Sequence, residues 1–119
     1  LRVWGRVLSR LSQIEKRIVF SDLRQEDIIG QDIDLATLVD DLVLASPEAE
    51  IVVFFFEEQP RNTVVHVYAR ENHDLPVLLQ KYSPIGSRRQ VTLSLPKNRS
   101  ESEQEIIGFF KQHLRLINQ

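Results

Sequence analysis

The residues best suited to chemistry lie in one short segment, Gly86-Ser87-Arg88-Arg89. Glycine allows a ligand or a second backbone to approach closely. A hydroxyl group beside two guanidinium groups suits a phosphate, because guanidinium binds phosphate oxygens in a bidentate manner. A plain turn that leads into a basic edge strand would have the same composition. The segment therefore predicts either an anion site or a solvated turn.

The three histidines lack the spacing of a metal or catalytic site. No pair has the four-residue separation of a helical zinc site. We expect His66 to be structural or solvated and His113 to lie near a helix C-terminus, where the helix dipole favours a cation. His73 and Asp74 share a loop and could ligate a metal ion, but a site needs three or four converging ligands. The sequence therefore predicts no metal ion in this chain.

Nothing in the chain indicates catalysis. Its 119 residues contain no cysteine, which excludes a thiol nucleophile, a disulfide framework and a cysteine-ligated metal. The acidic pairs Asp40-Asp41 and Glu57-Glu58 are adjacent in sequence, so their carboxylates point in different directions on a helix or a strand. No Gly-rich phosphate loop is present, and no serine has an identifiable base beside it. The sequence predicts no catalytic residue.

Charge is distributed unevenly, although the formal net charge is only −2. Residues 21–60 hold one basic and eleven acidic side chains, whereas residues 61–99 hold seven basic and two acidic ones. Clustered cations attract anions, but the same charges would also suit an ordinary solvated surface. The acidic total argues against tight non-specific binding to duplex nucleic acid, which depends mainly on counterion release.

Hydrophobic periodicity predicts an α/β (α+β) domain of two layers, with helices packed on a mixed sheet of about four to five strands. Asp34, and Ser100 together with Glu103, have the pattern of helix N-caps. The apolar run at residues 51–56 predicts a central strand that is covered on both faces. Helices are expected at residues 1–17, 34–46, 75–82 and 100–117. Strands are expected at residues 18–23, 50–57, 63–70 and 88–95.

This order of elements resembles the C-terminal DHH-associated domain of the DHH-family phosphoesterases. That family of hydrolases contains RecJ-like exonucleases, oligoribonucleases and cyclic-di-AMP phosphodiesterases. The resemblance spans nearly the whole chain and is most specific at residues 75–95. The polar strand terminus of the family corresponds to residues 66–69, with Arg70 one position beyond.

The family motif at residues 75–95 is a helix that ends in a basic and an aromatic residue, then glycines, a histidine and two residues that are often basic. Lys81 and Tyr82 match the helix end, and Gly86 is what remains of the glycine run. Ser87 stands at the position of the histidine. The substrate-binding residues that the resemblance implies are Arg70, Gly86, Ser87, Arg88 and Arg89.

The resemblance implies a substrate-recognition domain that binds a phosphate, a short single-stranded nucleic acid or a (cyclic di)nucleotide. Catalysis would belong to a metal-dependent phosphodiesterase or exonuclease domain. That N-terminal domain, with its Mn²⁺ ions, is expected to be absent from this chain and to be its partner. Ser83-Pro84-Ile85 replaces glycines of the family and removes one backbone donor.

Two alternatives follow from that replacement. In the first, Arg70, Arg88 and Arg89 neutralise the charge of a different ligand. In the second, the domain has lost ligand binding and is a non-catalytic interaction or oligomerisation module. Such a module could form a homodimer, and would use the apolar stripe of residues 3–14 and the Phe-rich strand.

The chain is expected to be one domain, residues 1–119, cut from a longer protein. Residues 1–17 would be a connecting helix and residues 18–119 the DHH-associated domain. No apolar run reaches the length of a membrane span, and the first residues do not have the pattern of a signal peptide. The sequence therefore predicts a cytoplasmic protein without a membrane partner.

Overall fold

Six β-strands and four α-helices make up the computed structural model, which describes residues 3–30, 32–70 and 72–116. The strands are β1 (Ser12–Ile14), β2 (Ile18–Leu23), β3 (Ile51–Gln59), β4 (Asn62–Ala69), β5 (Ile85–Gly86) and β6 (Gln90–Leu95). The helices are α1 (Val3–Ser9), α2 (Leu35–Leu44), α3 (Leu75–Leu78) and α4 (Arg99–His113). The predicted mixed α/β class is confirmed, with six strands instead of four or five.

The strands form one mixed sheet in the order β1-β2-β3-β4-β6-β5. β2 and β3 are parallel, and the other neighbouring pairs are antiparallel. The connection between β2 and β3 contains α2, because a parallel pair requires the chain to return to the same end of the sheet. β3 has β2 on one side and β4 on the other, so it lies inside the sheet, as the sequence predicts.

Helices cover the sheet on both faces, which explains the continuous apolar run of β3. Phe54 and Phe56 pack on one face with residues of α1 and α2, and Phe55 packs on the other with residues of α3 and α4. Successive side chains of a strand point to opposite faces, so such a run is buried only when both faces are covered. The domain thus has one helical layer more than the predicted two-layer arrangement.

The prediction of a single helix over residues 1–17 is wrong beyond Ser9. The chain turns back, and β1 pairs antiparallel with β2. The turn is closed by a hydrogen bond from Arg17 N to Ile14 O (2.9 Å). Its central residues, Glu15 and Lys16, have left-handed φ values of 50° and 62°. Such turns match the twist of a hairpin, and Ile14 packs against the core formed with α3 and α4.

The helix caps agree with the sequence at α2 and differ at α4. Asp34 accepts a hydrogen bond from Ala36 N (3.1 Å), as expected. At α4 the predicted Ser100 and Glu103 cap is wrong, because the capping box lies two residues earlier. There the Asn98 side chain accepts from Glu101 N (2.8 Å), and the Glu101 carboxylate accepts from Asn98 N (3.3 Å). The predicted helix over residues 100–117 is also too long, because α4 ends at His113 and Arg115 has a left-handed φ of 61°.

The remaining differences concern the segment between α3 and β6. The helix predicted at residues 75–82 is α3 followed by a 3₁₀ turn at Gln80–Tyr82. The predicted loop at residues 83–87 contains the short strand β5, which pairs with β6. Within the described ranges, no helix has the length and apolar character needed to cross a lipid bilayer.

Candidate functional site

The five candidate binding residues gather at one end of the sheet. Arg70 follows β4 directly, and Arg88 and Arg89 precede β6. Backbone hydrogen bonds hold these segments together, from Ala69 N to Arg89 O (2.9 Å) and from Leu75 N to Arg88 O (2.9 Å). Gly86 and Ser87 belong to the hairpin that leads into β6.

A groove with a volume of about 550 Å³ lies at this end of the sheet, and we call it the arginine groove. The loop of residues 47–50 lines one part of it, and Arg70, Asn72 and Arg89 line the rest. A smaller cavity of about 260 Å³ shares Asn72 and Arg89 with the groove and is also lined by His73 and Arg88. The structure therefore places Arg70 and Arg89 in one concavity and Arg88 in the adjoining one.

Arg70 is held rigidly by the loop that it faces. Its Nε donates to Ala49 O (2.7 Å) and its Nη2 to Ser46 O (3.1 Å). The guanidinium carbon lies 5.8 Å from the centre of the Tyr68 ring, which adds a cation–π contact. No carboxylate of the described residues pairs with Arg70. A fixed guanidinium group with remaining N–H donors is pre-organised for an anion, because little side-chain freedom is left to lose.

Gly86 and Ser87 shape the turn that presents the two arginines. Gly86 has φ 144°, and a Cβ atom there would lie 2.2 Å from Gln90 O. Ser87 N donates to that same carbonyl oxygen at 2.9 Å. Gly86 is thus needed for close approach within the hairpin itself. Neither residue is among the described residues that line the arginine groove.

Arg88 lies at the hairpin tip, with a side chain that is 75% exposed. Its Nε is 3.7 Å from Asp74 Oδ2. An exposed pair of this kind contributes little to stability. Arg88 is thus available to contact a ligand that extends out of the arginine groove.

Glu50 lines the arginine groove, and its charge is compensated. Arg17 donates to Glu50 Oε1 through Nε (2.9 Å) and Nη2 (2.8 Å), and His73 Nε2 lies 2.6 Å from Oε2. Burial by itself raises the pKa of Glu50, but the hydrogen bonds from Arg17 and His73 outweigh it, so this pKa lies below its ordinary value. Sequence reasoning did not identify Glu50, because its partners come from distant parts of the chain.

His73 and His113 lie next to each other, and His73 also contacts Glu50. The His113 ring centre is 5.7 Å from that of His73, and burial followed by the proximity of His73 lowers the His113 pKa. His113 is the last residue of α4, as expected. His73 contacts Glu50, whereas the sequence suggested Asp74 as its companion ligand. Among the described residues, no three His, Asp or Glu side chains converge as metal ligands.

His66 lies on β4 with one ring nitrogen bonded and the other unpartnered. Nδ1 is 3.2 Å from Thr92 Oγ1, and Nε2 is buried without a partner among the described residues. Burial lowers the His66 pKa below 6.5, so protons bind the unfolded chain more readily than the folded one. The structural role predicted for His66 agrees with this position.

We therefore expect the free energy of unfolding to fall as the pH drops from 7 to 5, and to fall less in His66→Phe. Phenylalanine fills a similar volume and does not titrate. Urea denaturation at each pH measures the effect, and His113→Phe serves as the comparison for the other histidine with a lowered pKa. An equal pH dependence in wild-type protein and His66→Phe would show that His66 does not contribute.

The cavity at the opposite end of the sheet has cations that are already paired. It has a volume of about 310 Å³ and includes Arg24 and Arg99 in its lining. Asp22 lies 3.1 Å from Arg24 Nε and 3.4 Å from Arg99 Nη1, and Arg99 also contacts Glu103 at 2.7 Å. These carboxylates neutralise the cations, whereas no carboxylate of the described residues pairs with Arg70, so the arginine groove is the better candidate for an anion.

Comparisons with known proteins show the fold alone. No family model matches the sequence, and no curated protein is significantly similar to it. An exopolyphosphatase-related protein from Bacteroides fragilis has a similar structure, with a TM-score of 0.78 and 12% identity over 98% of this chain and 35% of that one. The pGpG-specific phosphodiesterase PggH from Vibrio cholerae gives a TM-score of 0.63 and 14% identity over 92% of this chain and 37% of PggH.

An uncharacterised protein from Helicobacter pylori G27 is more distant, with a TM-score of 0.52 and 11% identity over 92% of this chain and 30% of that one. The chain therefore spans only about a third of the length of each of these proteins. It has the fold of one part of a longer phosphatase-related protein and of one part of a longer phosphodiesterase.

Proposed function

We propose that this chain is the ligand-recognition domain of a phosphoesterase related to the DHH family. In this proposal the arginine groove binds a phosphate group of a nucleotide or a short single-stranded nucleic acid. The observation that carries the proposal is the convergence of Arg70 and Arg89 on one groove, in which no carboxylate of the described residues pairs with Arg70. Two proteins that share the fold are named for phosphate chemistry, which supports the class.

The role of this chain would be to bind and orient the ligand. Arg70 and Arg89 would neutralise phosphate charge, and the guanidinium geometry would set its orientation. Arg88, at the hairpin tip, would contact a neighbouring phosphate. Mn²⁺ chemistry and bond cleavage would belong to a catalytic domain outside this chain.

The alternative of an interaction module keeps only part of the surface that the sequence suggested for it, because Leu8 and Leu11 of the apolar stripe stay exposed at 39% and 36%. Val3 and Val7 of the apolar stripe are buried against the sheet, as are the three phenylalanines of residues 54–56. These side chains form the cores of the chain itself. A partner could not use them without unfolding the domain.

Titration with a 5′-phosphorylated dinucleotide at low salt tests the proposal. We expect Arg89→Gln to weaken binding about tenfold, because a charge-assisted hydrogen bond contributes roughly 1.5–3 kcal/mol. Arg61→Gln is the matched control, since Arg61 is an exposed arginine in the β3–β4 turn at the other end of the sheet. Binding is measured by calorimetry and by the amide NMR shifts of residues 86–90.

Two results would contradict this function. One is the absence of shifts at millimolar dinucleotide. The other is an equal loss of affinity in Arg61→Gln and Arg89→Gln, which would indicate attraction by net charge without a site. Binding at the groove should also weaken as salt is added, because phosphate contacts release counterions.

A further inference from the structure

The arginine groove contains a carboxylate that is not neutralised. Glu48 lines the groove and is exposed, and it makes no hydrogen bond or ion pair with any described residue. Glu50, two positions further, has both carboxylate oxygens bonded by Arg17 and His73. Among the described residues that line the groove, Glu48 is therefore the carboxylate that remains open to a ligand.

The backbone on either side of Glu48 is fixed by the same arginine that would bind phosphate. Arg70 donates to Ser46 O and Ala49 O, which flank Glu48 in the chain. A turn hydrogen bond from Ala49 N to Ser46 O (3.1 Å) and a bond from Glu50 N to Arg17 O (2.8 Å) complete the support. The backbone that carries Glu48 is thus held in one arrangement relative to the Arg70 guanidinium group.

A ligand that fits this groove has an anionic group for the arginines. At a separate position it has two adjacent hydrogen-bond donors for the Glu48 carboxylate. Among nucleotides, guanine offers N1–H and the 2-amino group side by side, and a carboxylate can accept from both. Adenine and cytosine each place one amino donor next to an acceptor nitrogen, which a carboxylate repels. Uracil has a single N–H between two carbonyl groups. A groove of about 550 Å³ lies within the size range of small-molecule sites.

We propose that the arginine groove selects guanine nucleotides, with phosphate bound by Arg70 and Arg89 and the guanine base donating to the Glu48 carboxylate. This inference rests on the proposed function and adds the base preference. A bidentate contact to a base discriminates against a wrong base by a factor of roughly 5 to 150. The preference for guanine over adenine is therefore expected to be at least about fivefold.

Calorimetric titration of the full chain with GMP, IMP and AMP tests the preference. GMP should bind at least about fivefold more tightly than AMP. IMP, which lacks the 2-amino group, should lie between them. In Glu48→Ala the three affinities should become nearly equal, through loss of GMP affinity and no loss of AMP affinity. Glu58→Gln is the control, because Glu58 is an exposed carboxylate at the other end of the sheet.

The outcomes separate this inference from the proposed function. Equal binding of GMP and AMP that still depends on Arg89, or a guanine preference that persists in Glu48→Ala, overturns the inference and leaves phosphate recognition in place. Failure of all three nucleotides to bind at millimolar concentration overturns the proposed function and the inference together. A loss of preference in Glu58→Gln equal to that in Glu48→Ala also overturns the role of Glu48.

Discussion

Arg10→Ala is expected to lower the free energy of unfolding by about 3 kcal/mol. Arg10 Nε donates to Asp22 Oδ1 (2.8 Å), and its Nη2 contacts Asp27 Oδ2. Both carboxylates are almost fully buried, with 5% and 3% exposure. Other arginines remain within 4 Å of each carboxylate, but Arg10 is the nearest cation to both. Its removal leaves buried charge poorly compensated, which costs more than an intact pair contributes. Urea denaturation followed by circular dichroism measures the loss, because urea does not screen charges.

Arg6→Ala provides the matched control on the same segment. Arg6 lies 3.6 Å from Asp27 and is more exposed than Arg10, so its removal should cost less than about 1 kcal/mol. Equal losses in Arg6→Ala and Arg10→Ala would contradict the assignment of the buried network to Arg10.

The pH dependence gives a second readout for Arg10. Burial alone raises the Asp27 pKa, but hydrogen bonds from Arg24 N and Arg10 outweigh it and bring this pKa below 3.8. A lowered carboxyl pKa stabilises the fold above 3.8, and that stability is lost as the pH falls through the folded-state value. The difference between wild-type protein and Arg10→Ala should therefore shrink in acid. A difference that stays constant down to pH 2.5 would exclude the ion pair as its cause.

Gly86→Ala is expected to destabilise the hairpin by about 2 kcal/mol or more, because φ 144° lies in a region that is essentially restricted to glycine. The added Cβ would also meet Gln90 O at 2.2 Å and Val91 Cα at 2.9 Å, and both are backbone atoms that cannot move aside independently. We expect β5 to separate from β6. Dinucleotide affinity should fall as well, since the turn positions Arg88 and Arg89.

Hydrogen exchange at Ser87 N, which donates to Gln90 O, reports this local opening. Gly108→Ala is the control, because Gly108 lies in α4 with no atom within 4 Å of an added Cβ. That substitution should stabilise the protein by roughly 0.5–1 kcal/mol through helix propensity. Unchanged exchange at Ser87 in Gly86→Ala would contradict the close approach seen in the hairpin.

The sequence predicted those elements whose signals are local. The apolar run of β3 and the Asp34 cap of α2 both appear in the structure at the expected positions. The prediction of one long first helix failed because the apolar stripe of residues 3–14 fits two arrangements. One is a continuous helix, and the other is a short helix followed by a strand that turns back. What decides between them is distant in sequence, including the hydrogen bond from Ser21 Oγ to Val7 O (2.6 Å).

In the candidate site, too, only the residues with a local signal in the sequence could be predicted. Arg70, Arg88 and Arg89 could be predicted, because a motif and a local cluster of charge identify them. Glu48 and the pairing of Glu50 could not, since the loop that carries them is held at the groove by hydrogen bonds to Arg17 and Arg70, which are distant in sequence. No periodicity or spacing in the sequence encodes such a contact.

Both borders of the sheet are very short strands, three residues in β1 and two in β5. A long, flat border would offer a row of unpaired amide and carbonyl groups on which another chain could add a strand, and natural proteins shorten such borders to prevent this. Neither β1 nor β5 therefore offers a long template to another chain. A strand added to either of them could pair along three residues at most.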